Sequence, residues 1–514
     1  MKPIPLGSHI QVIRRVLSWG WPISIIFICA ISQIWPADAP WLNDEPLLIS
    51  MAIDNNVAGR MGQHGLMGSR GAYYGPLPIW IYQVILLFSH NVVVVGKIHA
   101  LLIAVPTALG LIEMLKRFRL PRAFILIVLL SPYLWMYCRV IGDNNLCIPL
   151  GILAFAAYAS VERNHNAWSA RLIAFILPAM LLVHLMSIVV VVPIFICLYW
   201  WHRSLIWKSR WSVFGILCVF VLLSKNYWFS LTQSDVFISP DTTTRWTWMS
   251  AMTGGRIMSA AGMGFFLGSG WHRLDTGVWG YVIRAAHAVS SVAIPLSWFG
   301  FVLCARRTLE IICRRQQVDV MDQMVVLAFL VFVLHFWLTV SMGVPGQPQY
   351  LAAAWGAYIV FVWLAVAWLS RRGLMIQKCV FGAHLTSLVI VLAYLMCSIH
   401  TNGGYRQTVN KNSWDEYGPA LGSQLEAVVQ MRGFSSRSQI QSSIPNIKMF
   451  PHVIEVLRRL DGATENGPIA TFMLDYCHPD GKDCRMKVRQ CLPSGAAREY
   501  TASRRSHDYW VSQK

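Results

Sequence analysis

RLIAFILPAMLLVHLMSIVVVVPIFICLYWW, residues 171–201, decides the topology of this chain. A helix needs about 20 mostly apolar residues to cross a bilayer. The stretch reads either as one long span or as two short ones, 171–184 and 186–201, meeting at His184. His184 interrupts the apolar run and Pro193 follows it, which favours two helices. The distribution of charge decides between them, because Lys and Arg collect on the cytoplasmic side of membrane spans. With the stretch split and the N-terminus in the cytoplasm, the cytoplasmic segments hold Lys2, Arg14 and Arg15, then the basic residues between 116 and 122, then Arg163 and Arg171. They continue with Arg203, Lys208 and Arg210, then Arg306, Arg307, Arg314 and Arg315, then Arg371, Arg372 and Lys378. That is 19 of the 43 basic residues. Read as one span, the stretch would put Arg306, Arg307, Arg314 and Arg315 outside. The split reading is therefore the one adopted.

Working outward from it, spans fall near 16–36, 92–115, 122–141, 146–161, 171–184, 186–201, 211–231, 285–304, 321–341, 350–369 and 379–399. The expected fold is a polytopic α-helical membrane protein of about eleven transmembrane helices, sited in the cell (inner) membrane. Composition agrees. The 514 residues are 55% hydrophobic and only 13% charged, with a mean hydropathy of +0.48; soluble domains carry about 25% charged residues. The 23 Trp and 23 Phe suit wide membrane interfaces. The net charge of +19 does not point to nucleic acid, because the basic residues sit at span ends rather than on one soluble face. Most of the 12 Cys lie in apolar runs, and no CxxC pair or zinc spacing occurs. Arg14 and Arg15 precede the first span and no small-residue cleavage site follows it, so it reads as an uncleaved anchor.

Three outer segments are large: 37–91, 232–284 and 400–514. Within the first, PLPIWIYQVILLFSH (residues 76–90) is apolar but shorter than a span, and reads as a helix lying on the outer surface. The region 400–514 holds 15 of the 43 basic and 11 of the 24 acidic residues. It is expected to be a small, extracytoplasmic α/β domain following a membrane module over 1–399. Pro451 to Leu460 has helical spacing and Ile469 to Leu474 reads as a strand. Outside the cytoplasm, two of Cys477, Cys484 and Cys491 can pair, and the odd count leaves the pairing open.

Chemistry needs acids, and only 13 lie before residue 400. Asp44 and Glu45 stand side by side in WLNDEPLLISMAIDNN (residues 41–56), close to the membrane surface. A carboxylate there can serve as a general base or help to hold a divalent cation. Asn43 or Asp44 as an N-cap, Pro46 in the first turn and acids at a helix start form a compatible structural reading. In CRVIGDNN (residues 138–145), Arg139 suits a phosphate and Asp143 can join Asp44; an interfacial Arg and a helix cap explain the same residues. His184 is either functional or hydrogen-bonded to backbone at a broken helix. Gln347, Gln349 and Tyr350 in GVPGQPQY (residues 343–350) can bind a sugar or form a turn with an aromatic anchor. Lys97 and His99 can meet phosphate or, for Lys97, snorkel.

The order of these features resembles the GT-C superfold of glycosyltransferases that use lipid-phosphate sugars, in particular the protein O-mannosyltransferases and the lipid A aminoarabinose transferases. The resemblance covers roughly residues 10–370. It rests on an Asp-Glu pair in the first outer loop, the run Tyr73-Tyr74-Gly75-Pro76-Leu77-Pro78 leading into a surface helix, an Asp-bearing turn before the fourth span and a broken pair tipped by His. It implies Asp44, Glu45 and Asp143 as catalytic residues, with Asp44 or Glu45 as base, and Lys97, Arg139, His184, Gln349 and Tyr350 as substrate-binding residues. The family's Arg at the start of the second span is matched only by Lys97, and its late Arg-Tyr only by Gln349-Tyr350. Arg139, Arg245, Arg256 and Arg273 are candidates to compensate.

The implied donor is a polyprenyl-phosphate-linked sugar and the acceptor a lipid, glycan or protein; any metal would be a divalent cation near Asp44 and Glu45. Three rivals stand beside this reading. A transporter or flippase is disfavoured by the lack of an internal repeat. A lipid-linked glycan polymerase or ligase is disfavoured by the Asp-Glu pair. A non-catalytic scaffold would use the C-terminal region to bind a partner.

Overall fold

A computed structural model describes residues 44–67, 73–118, 124–139, 141–164, 167–232, 293–314, 318–341, 351–371, 382–390, 406–408, 415–417, 421–442, 450–476, 486–491 and 497–501, with a few isolated positions between. The expected first span, the outer segment from 233 to 280, and Gln349 and Tyr350 lie outside the described residues.

Helix α1 (Asp44–Val57) opens on the acidic pair, with Pro46 in its first turn, where a missing N–H costs nothing. Helix α2 (Leu77–Phe88) falls within the apolar run expected to form a short helix. At 12 residues it is about 18 Å long, too short to span. One face buries Ile79, Tyr82, Ile85 and Leu86, while Val84, Leu87 and Phe88 stand exposed. Helix α3 (Val92–Phe118) is long and apolar, with Lys116 and Arg117 in its last turn.

The expected span over 122–141 is corrected: it is two short helices, α4 (Ile125–Leu129) and α5 (Pro132–Arg139). Pro132 lacks an N–H and pushes Ser131 out of the helical region. Ser131 then caps the new start, its hydroxyl accepting from the Tyr133 N–H at 3.2 Å. Helix α6 (Cys147–Asn164) and helix α7 (Ala167–Val183) follow.

Helix α8 (Ile188–Leu223) runs through the residues expected to form two spans and the cytoplasmic loop between them. The loop over 202–210 is corrected to a bend: His202 has non-helical angles (φ −126°, ψ 24°) and divides the helix into two arms. The first arm begins where Ser187 meets Cys147 at the start of α6, and ends where His202 meets Gln323 at 2.6 Å. The second arm returns along α7, with Arg171 Nε donating to Ser212 Oγ at 3.1 Å and Phe175 and Phe220 in ring contact at 5.3 Å. The chain therefore reverses at His202 without leaving helical geometry for more than one residue. Ser224 separates α8 from α9 (Lys225–Thr232).

Helix α10 (Ala293–Arg314) extends ten residues beyond the expected end at 304, so Arg306 and Arg307 lie on the helix itself. Helices α11 (Val320–Ser341) and α12 (Trp355–Ser370) complete the described bundle, with a further helical stretch over 382–390. Gly300 lets α10 approach α12 closely: a Cβ there would sit 1.9 Å from the Phe361 carbonyl oxygen. Small residues allow such contacts where lipid gives no hydrophobic drive between helices. Among the described residues, four helices are long and apolar enough to cross a membrane: Val92–Phe118, Asn144–Val161, Leu185–Leu223 and Val320–Thr339. Leu77–Phe88, Trp168–Val183 and Trp355–Leu369 are shorter apolar helices.

Towards the C-terminus, β1 (Arg406–Thr408) and β2 (Asp415–Tyr417) form an antiparallel pair. Helix α13 (Leu421–Gln430) precedes a four-stranded sheet in the order β3-β4-β5-β6, made of Gln439–Ser442, Thr471–Tyr476, Met486–Cys491 and Ala497–Thr501. The strand expected at 469–474 begins two residues later, at Thr471. Strands β3 and β4 are parallel, joined through helix α14 (Phe450–Leu460), and the other pairings are antiparallel. Val453, Ile454, Leu457 and Leu460 of α14 recur at helical spacing and are buried. Cys491 ends β5, while Cys477 and Cys484 lie outside the described residues.

Candidate active site

Two helix starts meet at one end of the bundle. Helix α6 is preceded by a single 3-10 turn, Asn144–Leu146, which Asp143 caps: its Oδ1 accepts from the Asn144 N–H at 2.7 Å. The first arm of α8 is preceded by a matching turn, Leu185–Ser187, which His184 caps: its Nδ1 accepts from the Met186 N–H at 3.1 Å. His184 itself is extended (φ −155°, ψ 133°), so the chain breaks there, as the split reading of 171–201 expects. Cys147 Sγ and Ser187 Oγ lie 3.4 Å apart and tie the two starts together. Helix starts carry free N–H groups and the positive end of the helix dipole, both of which favour an anion.

Asp143 and His184 are both buried, at 2% and 3% exposure. His184 lies in the turn between two apolar helices, and burial lowers its imidazole to about 3. The ring is thus neutral. Because Nδ1 accepts a hydrogen bond, the proton sits on Nε2. That Nε2–H is buried and no described residue accepts from it.

The run from Tyr73 to Pro78 packs onto this break. The Tyr74 ring lies 4.1 Å from the His184 ring. Gly75 abuts the last turn of α7, where a Cβ would fall 2.0 Å from the Leu182 carbonyl oxygen. An antiparallel bridge between Met67 and Tyr73 and a tilted ring contact of His64 with Tyr73 at 4.0 Å shape the preceding loop. Gln83 on α2 fixes the other side of that loop: its Nε2 donates to Asn56 Oδ1 and the Arg60 carbonyl, and its Oε1 accepts from the Gly62 N–H.

Asp44 and Glu45 are the first two residues of α1. Leu48, Ile49 and Ala52 of α1 share an apolar cluster with Val92, Val93 and Val95 at the start of α3 and with Ile141, two residues before Asp143. Arg139 is the last residue of α5. Lys97 is exposed near the start of α3, and among the described residues it makes no ion pair. Two residues further along α3, His99 Nδ1 meets the Tyr82 hydroxyl at 2.8 Å. Gln349 and Tyr350 lie outside the described residues. Among the described residues no group of three or more His, Cys, Asp or Glu is arranged to hold a metal.

Two relationships were not legible in the sequence. One is the Cys147–Ser187 contact that couples the two helix starts. The other joins α1 to α14, where Arg459 donates to Asp54 Oδ1 at 2.5 Å and to Ser50 Oγ at 3.2 Å. Tyr74 was visible within its motif, but nothing local marks it as the partner of His184.

The described residues form a polytopic helical membrane protein with a small mixed sheet towards its C-terminus. The chain is similar to two solved structures of ArnT, a lipid A aminoarabinose transferase, from Cupriavidus metallidurans. The apo structure is 11% identical, with 90% of this chain and 93% of that chain covered and a TM-score of 0.41. The structure bound to undecaprenyl phosphate is 10% identical, with 89% and 93% covered and a TM-score of 0.48. At these values the likeness concerns the arrangement of the chain and no particular residue. No protein-family model matches the chain, and no curated protein matches it in sequence.

Proposed function

We propose that this chain is a membrane glycosyltransferase that moves a sugar from a polyprenyl-phosphate donor to an acceptor on the extracytoplasmic side. The observation that carries this reading is the gathering of separate sequence motifs at one end of the bundle. Tyr74 and Gly75 of the first outer segment pack on His184 and Leu182, and Ile141, two residues before Asp143, shares an apolar cluster with Leu48 and Ile49 of α1.

In the proposed reaction Asp44 or Glu45 takes the proton from the acceptor hydroxyl or amine. The acceptor attacks the anomeric carbon, the bond from that carbon to the phosphate oxygen breaks, and the lipid phosphate leaves with the electron pair. A single displacement places base and leaving group on opposite faces of the sugar, so inversion is expected. The adjoining helix starts and the His184 Nε2–H favour negative charge, with Asp143 holding the first of those starts in register. Lys97, Arg139, Gln349 and Tyr350 are assigned to substrate binding. The membrane module is residues 1–399 and the extracytoplasmic domain 400–514, with the N-terminus in the cytoplasm of an inner-membrane protein.

The test replaces Asp44 by Asn and Glu45 by Gln together. Glycan on lipid and protein fractions is then measured in cells whose membranes hold the variant at the normal level. Loss of a glycan supports the assignment. Unchanged glycosylation with normal amounts of folded protein sinks it.

A further inference from the structure

Helix α1 is gripped from two sides. On one side it meets α2, where Asn56 Nδ2 donates to the Gln83 carbonyl and Gln83 Nε2 donates to Asn56 Oδ1, each at 3.0 Å. On the other it meets α14, the crossover helix of the C-terminal sheet. Leu48, Ile49 and Ala52 of α1 are wholly buried in one apolar cluster with Val453, Ile454, Val456 and Leu457 of α14. Arg459, in the last turn of α14, closes this second contact with one nitrogen on Ser50 and another on Asp54.

We infer that Arg459 is a positioning residue: it ties the C-terminal sheet and its helices to α1, and so sets where the Asp44–Glu45 end of that helix lies over the bundle. The inference rests on the reading of Asp44 and Glu45 given above. The ion pair is exposed on its Asp54 side, at 59%, and such pairs hold little by charge alone. Its leverage is geometric. Ser50 and Asp54 are four residues apart, so they share one face of α1. A guanidinium fork that engages both fixes the rotation and tilt of the helix, which apolar contact alone leaves loose. From Asp54 to Asp44 the helix runs about 15 Å. Over that lever a tilt of about 4° moves the acidic end by about 1 Å, and such a misplacement can cost about a hundredfold in rate. Both α1 and the C-terminal sheet lie far apart in sequence, so the contact makes the position of the first outer segment depend on a region more than 400 residues away.

The test uses the full-length protein. Arg459→Glu replaces the attraction to Asp54 by repulsion, and Asp54→Arg reverses the other partner. Hydrogen exchange is followed across 46–57, and glycan transfer is measured per folded molecule in cells. Arg459→Glu is expected to speed exchange in α1 about tenfold, leave β4 and β5 protected, and lower transfer by at least fivefold. The double variant, with the charges exchanged, is expected to recover both. If Arg459→Glu unfolds the C-terminal sheet, Asp54→Ala removes the same pair from the α1 side and is read in the same two ways. Unmoved α1 exchange in these variants overturns the inference, as does a double variant no better than either single one. The Asp44→Asn, Glu45→Gln variant is measured alongside. Its retention of transfer would reject the catalytic reading and, with it, the positioning role, even where the exchange data still show the grip on α1.

Discussion

The ring of Tyr74 lies 4.1 Å from that of His184, with the two planes 37° apart. This contact joins the first outer segment to the break between α7 and α8, two regions more than a hundred residues apart. It depends on Gly75, whose missing side chain lets the loop reach the Leu182 backbone.

Gly75→Ala tests that packing directly. The added methyl would overlap the Leu182 carbonyl oxygen, and the obstacle is backbone, which cannot rotate away. Overpacking of this kind costs about 1–3 kcal/mol. The variant is expected to melt at a lower temperature in detergent and to lose the close approach of Tyr74 to His184. An unchanged melting temperature would show that the loop does not rest on α7.

His184→Asn separates the cap from the titration. Asn is a strong N-cap, so it can accept from the Met186 N–H in place of the imidazole. It cannot take up a proton. In the native chain burial lowers the His184 imidazole to about 3, whereas the unfolded chain titrates near the ordinary 6.5. Between those values the unfolded state binds the extra proton. Stability contributed by the neutral, buried ring is therefore complete above pH 6.5 and declines as pH falls towards 3, by about 1.4 kcal/mol per unit. Melting curves at pH 7, 6, 5 and 4 should show a shallower acid decline in the Asn variant than in the native protein. Parallel declines would mean that His184 is not buried as described.

These contacts show where sequence reasoning reached and where it stopped. The short helix α2 was legible because its apolar run is too short to span and its flanking residues are turn formers. The break at His184 was legible because a polar residue interrupts a long apolar run and the charge distribution demands a reversal. The break at Ser131–Pro132 was passed over, since the residues on both sides are uniformly apolar and hydropathy alone does not register a missing N–H. The bend at His202 hid for the opposite reason: Trp201, His202 and Arg203 look like a loop by polarity, yet the helix continues on both sides. Of the candidate site, the motifs were visible singly. Their meeting through Cys147–Ser187 and Tyr74–His184 was not, because side-chain contacts between distant segments leave no periodic signal. The grip of Arg459 on α1 is of that kind.

At the opposite end of the bundle, Arg307 of α10 holds Asp322 of α11 by a fork, Nε to Oδ1 and Nη2 to Oδ2, both at 2.7 Å. Asp319 caps the same helix start by accepting from the Asp322 N–H. Arg307→Lys keeps the charge but cannot reproduce the two parallel bonds. Because Arg307 is more than a third exposed, the loss is expected to be small, about 0.5–1 kcal/mol, and to shrink as salt rises. Thermal unfolding at low and high salt measures it. A destabilisation that does not depend on salt would point to lost packing rather than a lost ion pair.

Arg458 makes the sharper case, because it is buried where its neighbour Arg459 is not. Its side chain is 4% exposed, and its Nη2 donates to the Phe434 carbonyl at 3.1 Å and to the Ser435 carbonyl at 2.9 Å. The guanidinium also lies over the Phe472 ring of β4, 5.8 Å from its centroid. Burial lowers its affinity for the proton, with Glu455 opposing the shift, yet a guanidinium stays charged at any physiological pH. The cation is thus held inside the C-terminal unit by two backbone carbonyls and an aromatic face. Arg458→Ala removes the donor from the Phe434 carbonyl, while the Ser435 carbonyl keeps the Ser438 N–H at 2.9 Å, so the cost is about 1–3 kcal/mol for the one group left short. Arg458→Lys restores a charge but only a point contact, and should recover part of the loss. Limited proteolysis across 421–501 reads the difference, with cleavage fastest in the Ala variant and intermediate in the Lys variant. The helices of the bundle should be unaffected in both. Equal resistance in all three proteins would show that the unit is held by its apolar core alone, and that Arg458 is there for another reason.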